Sequence, residues 1–206
     1  FAEEYLEVLE YFTPRRMLVV EVRGRGGSEA PANGYTASDH ADDLRAVLEE
    51  EAIEQFHLMT FSRGTTWGLD LALALPDRVS SISIGDYWAR EHAVDASVLN
   101  QVMASRFRGK PMADRVPPHV IQSLFATSVD RDLLDALAET GLPVLVATGT
   151  EPGCILTETA VAEYEARLPG VQLVSIPGAS HDLFRPQRLA YPRAVAEFIA
   201  RCTPEG

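Results

Sequence analysis

Apolar and polar positions along this chain follow two alternating periods. Tyr5, Leu6, Leu9 and Phe12 recur at helical spacing and predict a first helix near 2–12. Met17 to Val22 is an apolar run broken only by Glu21, which predicts a buried strand of a parallel sheet. The loop Arg23-Gly24-Arg25-Gly26-Gly27-Ser28 ends that run, and Pro31 and Gly34 extend it. Thr36 or Ser38 then caps a helix with the face Ala41, Leu44, Val47 and Leu48, and Asp39 and Asp42 stand near its positive end. Phe56 to Phe61 predicts the next strand, 63–75 a helix ended by Pro76, and Val79 to Ile84 another strand. From Asp86 to about Gly141 this alternation stops. The Pro117-Pro118 pair and the pattern through Leu133, Leu134 and Leu137 predict a small helical insertion there, about 87–140, inside a single domain 1–206. The alternation resumes with a strand Val144–Ala147, a helix near 157–168, a strand Val171–Ile176 and a last helix near 187–202. Strands and helices in this order predict an α/β protein whose mainly parallel sheet is covered on both faces.

Composition narrows the function classes. The 206 residues carry 18 basic and 30 acidic side chains, a formal charge of −12. A chain of that sign repels phosphate backbones and anionic bilayers, so neither nucleic acid nor membrane is expected as a partner. Hydrophobic residues make up 46% and the mean hydropathy is −0.04, which places the chain among folded globular proteins. Two cysteines, Cys154 and Cys202, form no disulfide framework, and no Cys–His cluster has zinc spacing, so no metal is expected. No apolar run approaches the ~18 residues of a membrane span, and no basic segment leads an apolar one. These features predict a cytoplasmic protein, monomer or homodimer, that acts on a small molecule.

Candidate chemistry concentrates at two points. Thr60-Phe61-Ser62-Arg63-Gly64 lies where the second predicted strand turns into a helix. Such a turn can push a serine hydroxyl out of the sheet and leave the next N–H at a helix N-terminus, although a serine there is also a common cap. Small residues are wanted two before and two after the serine; Gly64 fits, and Thr60 is β-branched. The second point is Pro177-Gly178-Ala179-Ser180-His181-Asp182, after the last strand. It puts His181 at the sheet edge where ligands of open α/β sheets bind. His57 falls mid-strand and reads as a core residue. Gly24-Arg25-Gly26-Gly27 reads as a turn, because the third glycine of a dinucleotide fingerprint would fall at Glu29. Trp67, Tyr87 and Trp88 are candidates for an apolar substrate pocket. Arg106, Arg108 and Lys110, and Asp182 beside the histidine, read as solvated charges.

The whole chain resembles the α/β-hydrolase fold family. The resemblance is carried by Arg23 to Ser28 after a strand, by Tyr35 to Leu44 opening a helix, by the Ser62 turn and by the Pro177-to-His181 loop. Thr60 stands where the family usually has glycine. The resemblance implies that Ser62 is the nucleophile, His181 the general base and the N–H of Arg63 half of the oxyanion hole, with the insertion as a lid and no cofactor. The third member is open on this reading. The commoner family position falls in the loop Gly149-Thr150-Glu151-Pro152-Gly153-Cys154, where only Glu151 is acidic. Asp86, at the end of the strand after the nucleophile, is favoured because the sheet itself would hold it. In the family a strand and a loop precede the first helix and give the other oxyanion N–H. A chain that opens at Phe1 inside a helical pattern therefore implies a longer protein upstream. The implied activity is hydrolysis of an ester, thioester or lactone. The alternatives are carbon–carbon hydrolysis or perhydrolysis on the same residues, or ligand binding on a scaffold that has lost catalysis.

Overall fold

A computed structural model describes residues 1–202. After a 3₁₀ turn at Ala2–Tyr5 the chain runs α1 (Leu6–Tyr11), α2 (Ala37–Glu50), β1 (Phe56–Phe61), α3 (Gly64–Ala74) and β2 (Val79–Gly85). The insertion contributes β3 (Arg90–Glu91), α4 (Leu99–Ala104), β4 (Arg106–Phe107), β5 (Lys110–Pro111), α5 (Pro118–Thr127), β6 (Arg131–Asp132) and α6 (Leu134–Glu139). β7 (Val144–Gly149), α7 (Glu158–Arg167), β8 (Gln172–Ile176) and α8 (Ala190–Cys202) complete the fold. The main sheet has the order β1-β2-β7-β8, and every neighbouring pair is parallel. Consecutive residues of β7 divide between its two faces. Val144 and Val146 pack with Leu69 of α3, Leu137 of α6 and Tyr164 of α7. Leu145 and Ala147 pack with Val8 of α1 and with Val195 and Phe198 of α8. A period of two on a strand buried on both faces gives this division.

Thr36 is the N-cap of α2; its hydroxyl accepts from the Asp39 N–H, and the Asp39 carboxylate accepts from the Thr36 N–H in return. One predicted strand is absent. Residues 17–22 form neither helix nor ladder, and Leu18 is 40% exposed. Among the described residues β1 pairs with β2 alone, and the run, for all its β-branched composition, does not register on the open edge of β1. Glu21, the polar break in the run, instead folds its carboxylate back to accept from the N–H groups of Ala2 and Gly27, each at 2.9 Å. The insertion also holds two small antiparallel ladders, β3–β6 and β4–β5, that the periodicity does not predict. Its own core of Val116, Val120, Ile121 and Leu124 closes on Tyr35, with Trp67 packed against it.

Candidate active site

The parallel sheet delivers its functional groups to one edge. β1 ends at Phe61, and Ser62 turns the chain into α3 with φ +53°, a left-handed conformation that β-carbon residues adopt at a cost. The Ser62 N–H donates to the Gly85 carbonyl at 2.9 Å, so the β1–β2 register runs into the turn and fixes the serine backbone. Thr60 fits despite its branch. Its hydroxyl donates to the Ser83 carbonyl at 2.9 Å, and its methyl lies where a β-carbon on Gly68 would sit, 2.6 Å away. The crowding of the turn is thus relieved inside α3, at Gly68. At Gly64, where the sequence suggests that a small residue is needed, an added β-carbon would meet nothing within 4 Å.

His181 reaches the serine from the loop after β8. Gly149 makes that possible: a β-carbon there would come within 2.1 Å of the Ala179 carbonyl, so the end of β7 and the histidine loop touch backbone to backbone. The Ser62 hydroxyl donates to His181 Nε2 at 2.9 Å, and Nδ1–H donates to Asp86 Oδ2 at 2.8 Å. The Phe61 ring stacks on the imidazole, with centroids 5.1 Å apart. Asp86 is fully buried just beyond β2, with φ +41°, and its own N–H donates to the Ala147 carbonyl at 2.7 Å. Its carboxylate also accepts from the Ile155 N–H at 2.8 Å, the Leu156 N–H at 3.1 Å and the Thr148 hydroxyl at 3.1 Å. A carboxylate that only accepts places the imidazole proton on Nδ1 and leaves Nε2 to accept from serine. The loop after β7 therefore supplies amide donors to Asp86, while Glu151 is an exposed residue whose N–H is tied to Ala179 at 2.9 Å.

Arg63 is the N-cap of α3, where the first N–H groups of a helix have no partner within it. Trp67, one turn on, lies flat against His40, with centroids 4.1 Å apart and planes 2° from parallel. His40 is fully buried; burial lowers its pKa and keeps it neutral. Tyr87 is buried in the core under the sheet, and its carbonyl accepts from the Tyr164 hydroxyl at 3.0 Å. Trp88 packs on the same core and edge-on to His92. His57 sits in β1 with Nδ1 2.7 Å from the Ser81 hydroxyl, a core contact.

Two residues differ from their sequence reading as solvated charges. Arg108, at the tip of the β4–β5 hairpin, donates through Nε and Nη2 to both oxygens of Asp182, each at 2.8 Å, and through Nη1 to Glu4 at 3.0 Å. Arg108 is 7% exposed and Asp182 18%, and the guanidinium lies 5.6 Å from the Phe184 ring centroid. Burial pushes the Asp182 carboxyl up, but the hydrogen bonds and charge of Arg108 outweigh it and hold the group below its usual value. Arg106 and Lys110, by contrast, are exposed. The sequence carries no local signal for the Arg108–Asp182 pair, whose partners lie 74 residues apart. Among the described residues no group of three or more His, Cys, Asp and Glu side chains is placed to hold a metal, and no helix is long and apolar enough to cross a membrane.

Comparison with known proteins bears on the same framework. Residues 8–109 match the model of the alpha/beta hydrolase fold. The chain is 24% identical, over 88% of its length and 77% of the relative's, to a 2-(acetamidomethylene)succinate hydrolase of Mesorhizobium japonicum. Among solved structures, the enol-lactonase from Burkholderia xenovorans LB400 superposes with a TM-score of 0.77 at 19% identity, covering 96% of this chain and 86% of the other. MGS-M2, an alpha/beta hydrolase from a Medee basin deep-sea metagenome library, gives 0.80 at 15% identity, covering 99% and 86%. With a four-stranded parallel sheet clad on both faces and these likenesses along most of its length, the chain has the alpha/beta hydrolase fold.

Proposed function

We propose that the chain is a serine hydrolase that cleaves an ester, thioester or lactone of a small molecule. The observation that carries this reading is the continuous line from Ser62 Oγ to His181 Nε2, 2.9 Å, and from Nδ1 to Asp86, 2.8 Å. The Ser62 oxygen attacks the carbonyl carbon while its proton passes to Nε2. Asp86 holds the ring in the accepting tautomer and stabilises the imidazolium that forms. The carbonyl oxygen becomes an oxyanion beside the Arg63 N–H, at the positive end of α3. Collapse expels the alcohol or thiol, which takes the proton from Nε2, and leaves an acyl-Ser62. Water, deprotonated by His181, then attacks the acyl carbon and restores the serine hydroxyl. The insertion, about 87–140, serves as the lid that shapes the substrate pocket. The names of the relatives, a 2-(acetamidomethylene)succinate hydrolase and an enol-lactonase, favour a hydrolytic reaction.

The test is labelling with a fluorophosphonate probe together with a panel of esters and lactones. Wild type should label and turn over at least one of them. Ser62→Ala should not label and should lose at least ~10³-fold in kcat/KM at unchanged melting temperature, in line with the loss of a triad member. Undiminished turnover by Ser62→Ala would remove the assignment.

A further inference from the structure

Arg25, in the loop after residues 17–22, is a half-buried cation that pairs with no carboxylate among the described residues. Its guanidinium carbon stands 5.9 Å from the centroid of the Trp67 ring, and its one hydrogen bond among the described residues is a long one, 3.5 Å, from Nη1 to the neighbouring Gly24 carbonyl. Arginines of comparable shielding elsewhere in the chain are satisfied. Arg23, Arg90, Arg108, Arg115 and Arg131 each hold carboxylates, and Arg78 donates to the Ile53 and Glu54 carbonyls. Arginines that lack such partners, Arg15, Arg185 and Arg193, are exposed to water. Arg63 is the exception that accompanies Arg25: it is half-buried, pairs with no carboxylate among the described residues, and directly follows Ser62.

These groups are fixed in place. Trp67 is about one turn along α3 from Ser62, and the buried His40 stacks flush on its ring, with centroids 4.1 Å apart. Trp67 in turn presents its ring to Arg25. Arg63 stands four residues before Trp67, about one helical turn away, and burial, with the charge of Arg63 after it, lowers the Arg25 pKa to about 10. A guanidinium withdrawn from water costs free energy unless an anion offsets it, and two beside each other cost more. In a chain of net charge −12 that places carboxylates on its other shielded arginines, no carboxylate among the described residues answers these two.

We propose that Arg25 and Arg63 form an anion-recognition pair beside Ser62, so that the substrate carries a carboxylate a few bonds from the scissile carbonyl. This rests on the assignment of Ser62 as nucleophile. A carboxylate suits the pair because a planar guanidinium offers two parallel N–H groups for bidentate donation to it.

The experiment compares two substrates of the full chain, 4-nitrophenyl butyrate and mono-4-nitrophenyl glutarate, with calorimetric titration of free glutarate. Wild type should favour the glutarate ester by ~10-fold or more in kcat/KM. Arg25→Met should lower the glutarate-to-butyrate ratio by ~10–100-fold, the range for loss of a charge-assisted pair, and Arg25→Lys should restore part of it. Glutarate should bind wild type and not Arg25→Met. A wild type that prefers butyrate, or a ratio and a glutarate affinity unmoved by Arg25→Met, overturns the proposal. Should Arg25→Met fail to fold, the wild-type preference and glutarate titration decide. Absence of fluorophosphonate labelling with glutarate binding intact would remove the nucleophile assignment and leave the anion site standing.

Discussion

His181 and Asp182 are neighbours in sequence, yet the molecule grips them by different means. His181 faces inward to a carboxylate held by the sheet: Asp86 sits at the end of β2 and takes two backbone N–H groups and the Thr148 hydroxyl besides the imidazole. Asp182 faces the opposite way, to Arg108 on a hairpin tip, with Glu4 sharing the same guanidinium. The inner grip is built from backbone donors on the loop after β7 and from Thr148 of β7 itself. The outer grip is built from long side chains and opposite charge drawn from three distant segments. Precision at a reacting atom demands the first; fastening a loop to an insertion needs only the second.

The sharpest way to break this comparison is to disable each carboxylate separately. Asp86→Asn should lower kcat by ~10⁴-fold, because an amide can present a donor to Nδ1 and favour the wrong tautomer, while Glu151→Gln should stay within about twofold of wild type. Steady-state kinetics on one ester decides it; the reverse ranking would move the supporting acid to the loop after β7.

At the outer grip the larger effect should fall on stability. Arg108→Met leaves Asp182 and Glu4 largely buried without their cation and should cost about 3 kcal/mol, read by urea unfolding. The Asp182 pKa is depressed in the folded chain, so its contribution is fully present above the unfolded value of ~3.9 and is lost as pH falls through the folded value. Asp182→Asn should therefore flatten the stability profile below about pH 4. A wild-type profile already flat there would mean that the pair contributes nothing.

The smallest effect sharpens the inner side. Gly68→Ala puts a methyl 2.6 Å from the Thr60 methyl and should destabilise by about 1–3 kcal/mol. Thr60→Ser in the same chain should recover most of that loss, a coupling visible in a double-mutant cycle of melting temperatures. Additive losses would show that Gly68 does not make room for Thr60.

Much of the framework is legible in the residues. Apolar periodicity places β1, α3, β2, β7, α7, β8 and α8, because in a sheet covered on both faces each element must bury what it carries. Ser62 and His181 are visible since each follows a strand at the edge where loops converge. Residues 17–22 mislead for a related reason: composition records how well side chains fit a sheet, and a ladder further requires registration on a neighbouring edge.

What the linear order determines by itself, then, is local. It sets strand against helix, the capped start of α2 at Thr36, and the turn that lifts Ser62 with the positive end of α3 beneath it. Tertiary structure decides the choices that span the chain. It selects Asp86 over Glu151, brings the amides of Ile155 and Leu156 to that carboxylate, and turns Arg108 from a hairpin charge into the clasp on Asp182. It also sets Arg25 beside Trp67 with no carboxylate partner among the described residues. The physical reason is one of range: propensity and capping act within a few residues, whereas hydrogen bonds and ion pairs are set by spatial approach. Only the packed fold brings positions 70 or more residues apart to between 2.8 and 3.1 Å.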